Sequence, residues 1–472
     1  MGTPSEKAKQ ETVRAIVNHV IDRVLPENAL RRHLTLNGNI LTVADKSYNL
    51  ENFKQIFIVG GGKAGRTTTL ELSSLLGDRI TAGFLNVYQD QADEPISDKI
   101  ALYAADHPTP NEEGAKGANK MIEYLKKADE KTLVIALISG GGSALMATPV
   151  EGISLEDYKD ICNLLLTVPA TIDEINAVRK HIDPLKGGGM RKLAENAGGF
   201  VSLVLSDVPV TKTGVVDDPS VIASGPTVGD DSTFESAKNV LVSHGIWDQT
   251  PEAVKKYFED NMGKTENETL PKDSPLLAPD KSQYLIAANN DQAMEAAKEK
   301  AEEAGYTVEL IGCNTGRTED KIKGEVTEEI GTIWKVINSK LKENDEITFA
   351  SFSTDGVDGH SDLAGAMADG ATLAQAKEKG IEYKTYLENY DSASFFKELG
   401  LEIKTGPTGT NVADICLALI TNKDDPGRKL AIIFGGEATV NIKVPEGRKP
   451  GFGGRNTHIT LLAAEILEKL NN

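Results

Sequence analysis

Lys63 stands in a glycine-rich turn, VGGGKAG (59–65), and a second turn, SGGGSAL (139–145), repeats the pattern downstream. Each follows an apolar run with strand character and precedes a helix-like stretch. Consecutive glycines let backbone N–H groups converge, and the helix that follows adds partial positive charge, so such a turn holds phosphate without side chains. Gly60, Gly61 and Gly62 in the first turn, with Ser139, Gly140, Gly141, Gly142 and Ser143 in the second, are therefore candidate nucleotide-binding residues. A lysine beside such a nest reaches phosphate oxygens as a point charge, which makes Lys63 a candidate catalytic residue. Glycines kept only for positive φ or for close helix–sheet packing would read the same way.

Gly60, Gly62 and Gly65 also satisfy G-x-G-x-x-G, but no acidic residue follows at the end of the next strand to hold a ribose. Walker A fails as well, because Ala64 follows Lys63. Arg455, in GFGGRNTHIT (451–460), precedes an amphipathic helix, where a guanidinium can stabilise charge on a transferring phosphoryl group; a surface arginine is the alternative. Asp207, just after a buried-looking strand in SLVLSDVPV, could accept a hydroxyl proton or bind Mg²⁺, or could simply close an Asx turn. Asp355, Asp358 and Asp362 cluster in FSTDGVDGHSDLAGA without EF-hand spacing, so magnesium shared with phosphates is favoured over a calcium loop, with plain Asp-Gly turns as the alternative. Ser224 lies in a polar loop, DDPSVIASGPT (217–227), that reads as a substrate loop. His107, in HPTPNEEG, is a ligand contact or a structural histidine before proline. No Ser-His-Asp set is legible, since Ser143 is not in G-x-S-x-G.

Strand-like runs at 56–59, 82–87, 133–138 and 201–205 alternate with helical periodicity at 116–127 and 155–166, after an opening helix to about residue 24 that carries Val13, Ile16, Val17, Val20 and Ile21 on one side. That alternation predicts a mostly parallel sheet covered by helices on both faces, with ligands beyond the carboxyl ends of the strands. Residues 261–281 are polar and proline-punctuated and read as a linker or surface crossover. A second, smaller α/β domain with a mixed sheet follows, with strands expected at 284–287, 307–311, 347–352, 430–434 and 439–444, and helices at 291–304, 321–342 and 457–470.

At 472 residues the chain needs two cores, and the domain expectation is 1–260, a connection at 261–281, and 282–472. Acidic residues outnumber basic ones by 71 to 51, a net charge of −20, which opposes nucleic acid or anionic membrane as a partner. An anionic substrate must then meet a local cationic patch, and the candidate is Arg179, Lys180, His181, Lys186 and Arg191. Arg179 and Lys186 are its substrate-binding candidates. No stretch approaches a membrane span, and the polar N-terminus lacks a secretory signal, so a cytoplasmic monomer or homodimer is expected. Cys162, Cys313 and Cys416 are far apart and make no CxxC, reading as reduced thiols.

Taken together, VGGGKAG, HPTPNEEG, SGGGSALM, EINAVRKHIDPLKGGGM, LSDV, ASGPTVGD, TDGVDGHSDLAGA, TGPTGTNVADI, GGEATV and GGRN resemble the MOFRL-associated glycerate 2-kinases, some of which carry the name hydroxypyruvate reductase. The resemblance implies a Rossmann-like first domain, a second α/β domain, and transfer of the ATP γ-phosphate to the 2-hydroxyl of D-glycerate with Mg²⁺ in a cleft between domains. It makes Lys63 and Arg455 the catalytic pair, adds Thr408 to the substrate contacts, and leaves Asp207 and Asp355 for metal or proton. In the family, GGETTV and GGRNQE precede the TDG and TGPTGTN motifs; here Asp355 and Thr408 precede Gly436 and Arg455, a circularly permuted order. Thr457 and His458 stand where the family has Gln and Glu. An NAD(P)H-dependent hydroxypyruvate reductase and an inactive metabolite-binding regulator are the rival readings.

Overall fold

Helix α1 (Pro4–Val24) follows the expected spacing and buries Val13, Ile16, Val17 and Val20. The structure, a computed structural model, describes residues 4–208, 215–312, 322–440, 442 and 449–471. It divides into an N-terminal unit (Ala29–Ser206 and Asp217–Ala287) and a C-terminal unit (Met1–Asn28, Asp207–Val216 and Ala288–Asn472). Among the described residues no helix is long and apolar enough to cross a membrane.

The N-terminal unit is built on strands β1 (Gln55–Gly61), β2 (Ala82–Tyr88), β3 (Ile100–Ala105), β4 (Thr132–Ile138), β5 (Gly199–Leu205) and β6 (Ser282–Ala288). Their spatial order is β3-β2-β1-β4-β5-β6, and the β1–β2, β2–β3, β1–β4 and β4–β5 ladders are all parallel. Every residue of β4 and of β5 is buried, which for alternating side chains means that both faces are covered. This is the dinucleotide-fold strand order, and its direction of winding reverses between β1 and β4, where such sheets bind ligands. Helices α2 (Gly65–Leu76), α3 (Glu112–Leu125), α4 (Leu155–Leu166) and α5 (Ile172–His181) follow the strands. Asn111 caps α3, and Ser154 with Asp157 and Thr171 with Glu174 form capping boxes on α4 and α5, which satisfies the free amides at each start.

The C-terminal unit holds α6 (Asn290–Glu303), β7 (Thr307–Ile311), β8 (Ile322–Glu325), α7 (Val326–Lys340), β9 (Asp345–Ser353), β10 (Gly365–Asp369), β11 (Glu402–Ile403), β12 (Asp414–Asn422), β13 (Lys429–Thr439) and α8 (Arg455–Asn471). Its sheet runs β7-β13-β12-β9-β10-β11, with β8 also on β13. β7 and β8 are parallel to β13 and the other pairs antiparallel, so the sheet is mixed as expected.

The expected boundaries shift in two places. Residues 282–288 complete the N-terminal sheet as β6 beside β5, and residues 261–281 are part of that unit rather than a free linker. The buried Arg191 pins this crossover by donating to Leu276 O (3.2 Å) and Ser282 Oγ (2.8 Å). Helix α1 belongs to the C-terminal unit, where it packs on α6. Strands β3, β8, β10, β11 and β12 were not anticipated, and the helix expected at 321–342 is corrected: β8 takes its first residues and α7 begins at Val326. The residues expected as strand 439–444 are described only at 439, 440 and 442, and Cys313 lies outside the described residues.

Lys9 explains the attachment of α1. Its buried ammonium lies 3.3 Å from Glu346 Oε2 and 3.0 Å from Thr421 Oγ1, a cross-strand pair on β9 and β12. Lys9→Ala should lower stability by about 1–3 kcal/mol in urea unfolding, because it strips a charged donor from a buried site. Lys9→Met, which keeps the stem, should lose less; equal losses would mean that the stem contributes nothing and the charged donor accounts for the whole effect.

Candidate active site

β1 and β4 pair with Gly60 opposite Leu137 and Gly61 opposite Ile138, so the two glycine turns leave the sheet side by side. A Cβ on Gly60 would fall 2.0 Å from Leu137 O, and one on Gly62 would fall 2.2 Å from Ser139 Oγ; both glycines have φ +136°. Their absence of a side chain is what allows the approach. The first turn then gives its amides to the protein itself. Gly62 N–H donates to Asn86 O (3.1 Å), Lys63 N–H to Gly140 O (2.8 Å), Ala64 N–H to Ser139 Oγ (3.0 Å) and Gly65 N–H to Gly62 O (3.0 Å). Gly60 and Gly61 are sheet residues. The expectation of an amide cradle at Gly60, Gly61 and Gly62 is therefore corrected: these residues brace the second turn, and so does the buried Ser139.

In the second turn Gly142 N–H donates to Ser139 O (3.2 Å), whereas the amides of Gly140, Gly141 and Ser143 have no acceptor among the described residues. Gly141 adopts a left-handed conformation, φ +79°. The Lys63 stem runs beside it, with Cγ at 3.4 Å from the position a Gly141 Cβ would take. The open amides and the lysine side chain thus come from different turns.

Next to Ser143 lies a pocket of about 260 Å³ whose walls include His107, Tyr158, Cys162 and Arg179. Burial, followed by the charges of Lys63 and Arg179, pushes the His107 imidazole below its ordinary pKa. Burial also works against the Arg179 guanidinium but is outweighed by Cys162, Tyr158 and Asp183, so its pKa is raised. Among the described residues no carboxylate forms an ion pair with Lys63 or Arg179. Ser224 is buried with φ +62°, beside Ala223 at φ +51°, a strained pair for residues with side chains. The Ser224 hydroxyl donates to Asn176 Oδ1 (3.0 Å) and lies 2.8 Å from Ser143 Oγ, tying the second turn to α5.

The rest of the expected cationic patch is internal. Lys186 is buried in an ion pair with Asp183, Lys180 pairs with Asp230, and His181 lies 3.0 Å from Glu268. Lys186 is thereby corrected from substrate contact to core ion pair, since a desolvated ammonium needs its counter-charge.

The C-terminal unit gathers the remaining motifs. Arg455 grips both oxygens of Asp414, through Nε and through Nη2 at 2.9 Å, and its Nη2 also lies 2.9 Å from Glu437. Burial acts against this guanidinium, but Asp414 and Glu437 prevail and raise its pKa. Asp414 begins β12 opposite Gly436 of β13, which places the two carboxylates on neighbouring strands. Neither acid was singled out beforehand; the short apolar run after Asp414 was the available signal for a strand start there.

The acidic cluster disperses. Asp358 is buried as the cap of α8, accepting from the amides of Asn456 (2.9 Å) and Thr457 (2.8 Å) and the Thr457 hydroxyl (2.8 Å), and burial raises its pKa. Asp362 pairs at the surface with Lys397 and Lys404. Asp355 closes an Asx turn, its Oδ1 accepting from Ser353 Oγ (2.7 Å) and Val357 N–H (3.0 Å). Thr408 pins the same loop, its amide donating to Asp355 O (3.1 Å) and its hydroxyl to Thr354 O (2.7 Å). Thr457 is buried against Asp358 and Ser392, and His458 stacks on Tyr390 at 5.3 Å, so both departures from the family pattern are packing residues. Asp207 follows β5, half-buried.

No group of three or more metal-ligating side chains occurs among the described residues. A Mg²⁺ that arrives on a triphosphate needs only one or two protein carboxylates, and the unshared Oδ2 of Asp355 fits that more modest demand.

Residues 12–259 match the family described as a domain of unknown function, DUF4147, and residues 317–414 match the MOFRL family. The GGEATV and GGRN motifs thus lie beyond the end of the MOFRL match. The chain is 32% identical to the glycerate 2-kinase of Pyrococcus horikoshii, over 86% of this chain and 96% of the relative. It is 31% identical to the D-glycerate 2-kinase of Thermotoga maritima, over 86% and 97%. The crystal structure of glycerate kinase from Thermotoga maritima superposes with a TM-score of 0.71 at 28% identity, covering 88% of this chain and 99% of that one. Joined to a strand order and glycine turns of the kind just described, these likenesses establish that the chain belongs to the MOFRL-associated glycerate 2-kinase family.

Proposed function

We propose that the protein transfers the γ-phosphoryl group of ATP to the 2-hydroxyl of D-glycerate, or of a closely related short hydroxy acid, giving 2-phosphoglycerate and ADP. The observation that carries this reading is the set of open amides at Gly140, Gly141 and Ser143 beside two cations, Lys63 and Arg179, that lack carboxylate partners in a chain of net charge −20. Such a group attracts an anion and has little else to do.

In this assignment the amides hold the nucleotide phosphates and Arg179 binds the acceptor carboxylate in a bidentate fork. His107, kept neutral, adds a hydrogen bond without competing charge. The acceptor oxygen attacks the γ-phosphorus as the bond to the ADP oxygen breaks, and the hydroxyl proton passes to a carboxylate, for which Asp207 is our assignment. Lys63 and Arg455 offset the charge that spreads over the moving phosphoryl oxygens. Asp355, with Asp207, would hold Mg²⁺, which neutralises phosphate charge when bound. The reductase reading is disfavoured because a dinucleotide pyrophosphate needs the amides of the first turn, and those are already hydrogen-bonded.

Coupled ADP release over glycerate, erythronate and tartrate tests the proposal. Activity should appear with ATP and Mg²⁺ and not as NADH consumption on hydroxypyruvate, and Lys63→Ala or Arg455→Ala should each lower turnover roughly 10²–10³-fold. Near-normal turnover in either variant would refute the catalytic assignment.

The His107 ring gives a second check. Because its pKa in the folded chain is below 6.5, the unfolded chain takes the proton first. Its contribution to stability is therefore present above that value and lost as the pH falls beneath it. An NMR titration should place its midpoint under 6.5, and both Lys63→Ala and Arg179→Gln should raise it; an unmoved midpoint would mean that the cations do not face the ring.

A further inference from the structure

Asn86 is a fully buried polar residue in the middle of the apolar strand β2, where a core side chain would ordinarily be aliphatic. Its side chain is engaged on one end only. Nδ2 donates to Leu145 O (2.6 Å), at the last residue of the single helical turn that follows the second glycine loop, and to Gly114 O (2.7 Å), in the first turn of α3. Its backbone carbonyl accepts the Gly62 amide of the first loop. Oδ1 is buried without a partner among the described residues.

That asymmetry is informative. Leu145 O is a terminal carbonyl of a one-turn helix and has no helical donor of its own. A primary amide supplies two N–H donors from one short, uncharged group, so it bridges two carbonyls where a carboxylate would repel them and a hydroxyl would reach only one. Leaving Oδ1 unsatisfied is unfavourable, and the α3 residue facing it is accordingly stripped of bulk: a Cβ on Gly117 would fall 2.1 Å from Oδ1. The C-terminal unit repeats the device. Asn290 Nδ2 donates to Val412 O (3.0 Å) and Asp414 O (3.1 Å), its Oδ1 is likewise buried and unpartnered, and a Cβ on Gly435 would meet that oxygen at 2.1 Å. Asp414 is the residue that orients Arg455. In each unit, then, a buried asparagine anchors backbone beside a proposed site: the second glycine turn in one, and in the other the strand start whose Asp414 orients Arg455.

We propose that Asn86 is a positioning residue for the phosphate-binding turn 140–143, clamping Leu145 to α3 and Gly62 to β2 so that the amides of Gly140, Gly141 and Ser143 keep a fixed spacing. The inference rests on the reading of that turn as the phosphate site. Asn86 touches no ligand; it acts through the turn.

Asn86→Asp is the decisive substitution, since it keeps the shape and replaces the donors with oxygens. Calorimetric titration with ATP and, separately, with D-glycerate should show ATP affinity falling at least tenfold and glycerate affinity changing less than twofold. Lowering the pH from 7 to 5 should restore part of the ATP affinity in this variant, because the protonated carboxyl regains one donor, and should not do so in the native protein. Gly117→Ala, which crowds Oδ1 from α3, should reproduce the ATP-selective loss if Asn86→Asp fails to fold. ATP affinity within twofold of native in either variant, or equal losses for both ligands, would overturn the proposal. Should the native protein bind ATP but release no ADP on any hydroxy acid, the kinase reading fails while the ATP-selective loss still decides the role of Asn86.

Discussion

The hydrogen bond from the Lys63 amide to the Gly140 carbonyl, with its neighbour from the Ala64 amide to Ser139 Oγ, joins two turns that are 75 or more residues apart in the chain. It exists because β1 and β4 are adjacent parallel strands and because Gly60 and Gly62 have no Cβ to hold their neighbours off. The rest of the N-terminal half-site depends on that contact. By accepting the donors of the first turn, the second turn is held rigid while its own outward amides stay free, and Lys63 is left with its stem along Gly141. Under the proposed function, a pre-formed donor array of this kind has no reorganisation to undergo on binding phosphate, which is where electrostatic catalysis draws its advantage.

Charge placement separates the structural cations from those to which a function is proposed. Burial of an ammonium or guanidinium is unfavourable unless it is paired or fully hydrogen-bonded. Lys180, Lys186 and Lys9 meet that condition with a carboxylate apiece, and Arg191 meets it in part with backbone carbonyls and the Ser282 hydroxyl. Lys63 and Arg179 form no ion pair with a carboxylate among the described residues, and, after burial, their charges help to lower the His107 pKa. Arg455 belongs to a third class. Its two carboxylates fix the direction of the fork while also offsetting its charge, so this guanidinium is an oriented donor more than a loose cation.

The C-terminal unit makes plain how little chain order matters to a site. Asp358 caps α8 across 98 positions of sequence, and Asp414 holds Arg455 across 41. The contacts that define the unit are spatial, so a motif moved from before these segments to after them can reach the same helix start and the same pair of strand ends. Thr457 and His458 fit this view, since both are buried.

Much of this was legible beforehand for a physical reason: strands buried on both faces are continuous apolar runs, and turns that need positive φ or close approach are glycine. Both signals are local, and they carried the α/β class, the two sheets, the glycine turns and the C-terminal helix, expected at 457–470 and found from Arg455. What they could not carry is pairing. β10 was missed because its short run acquires strand character only between partners, β12 was missed although residues 415–420 are a continuous apolar run of the legible kind, and β6 was assigned to the wrong unit because nothing in seven residues says which sheet they will join. The same limit applied to the site. Sequence placed Lys63, Arg179, His107 and Ser143 among the candidates, but lysines and aspartates that neutralise each other inside the core look identical in a string to those that face a ligand. Only the tertiary structure decided that Lys186 and Asp358 are internal and that the amides of the second turn, not the first, are open, because hydrogen bonds and counter-charges are settled by neighbours that the chain brings together from far away.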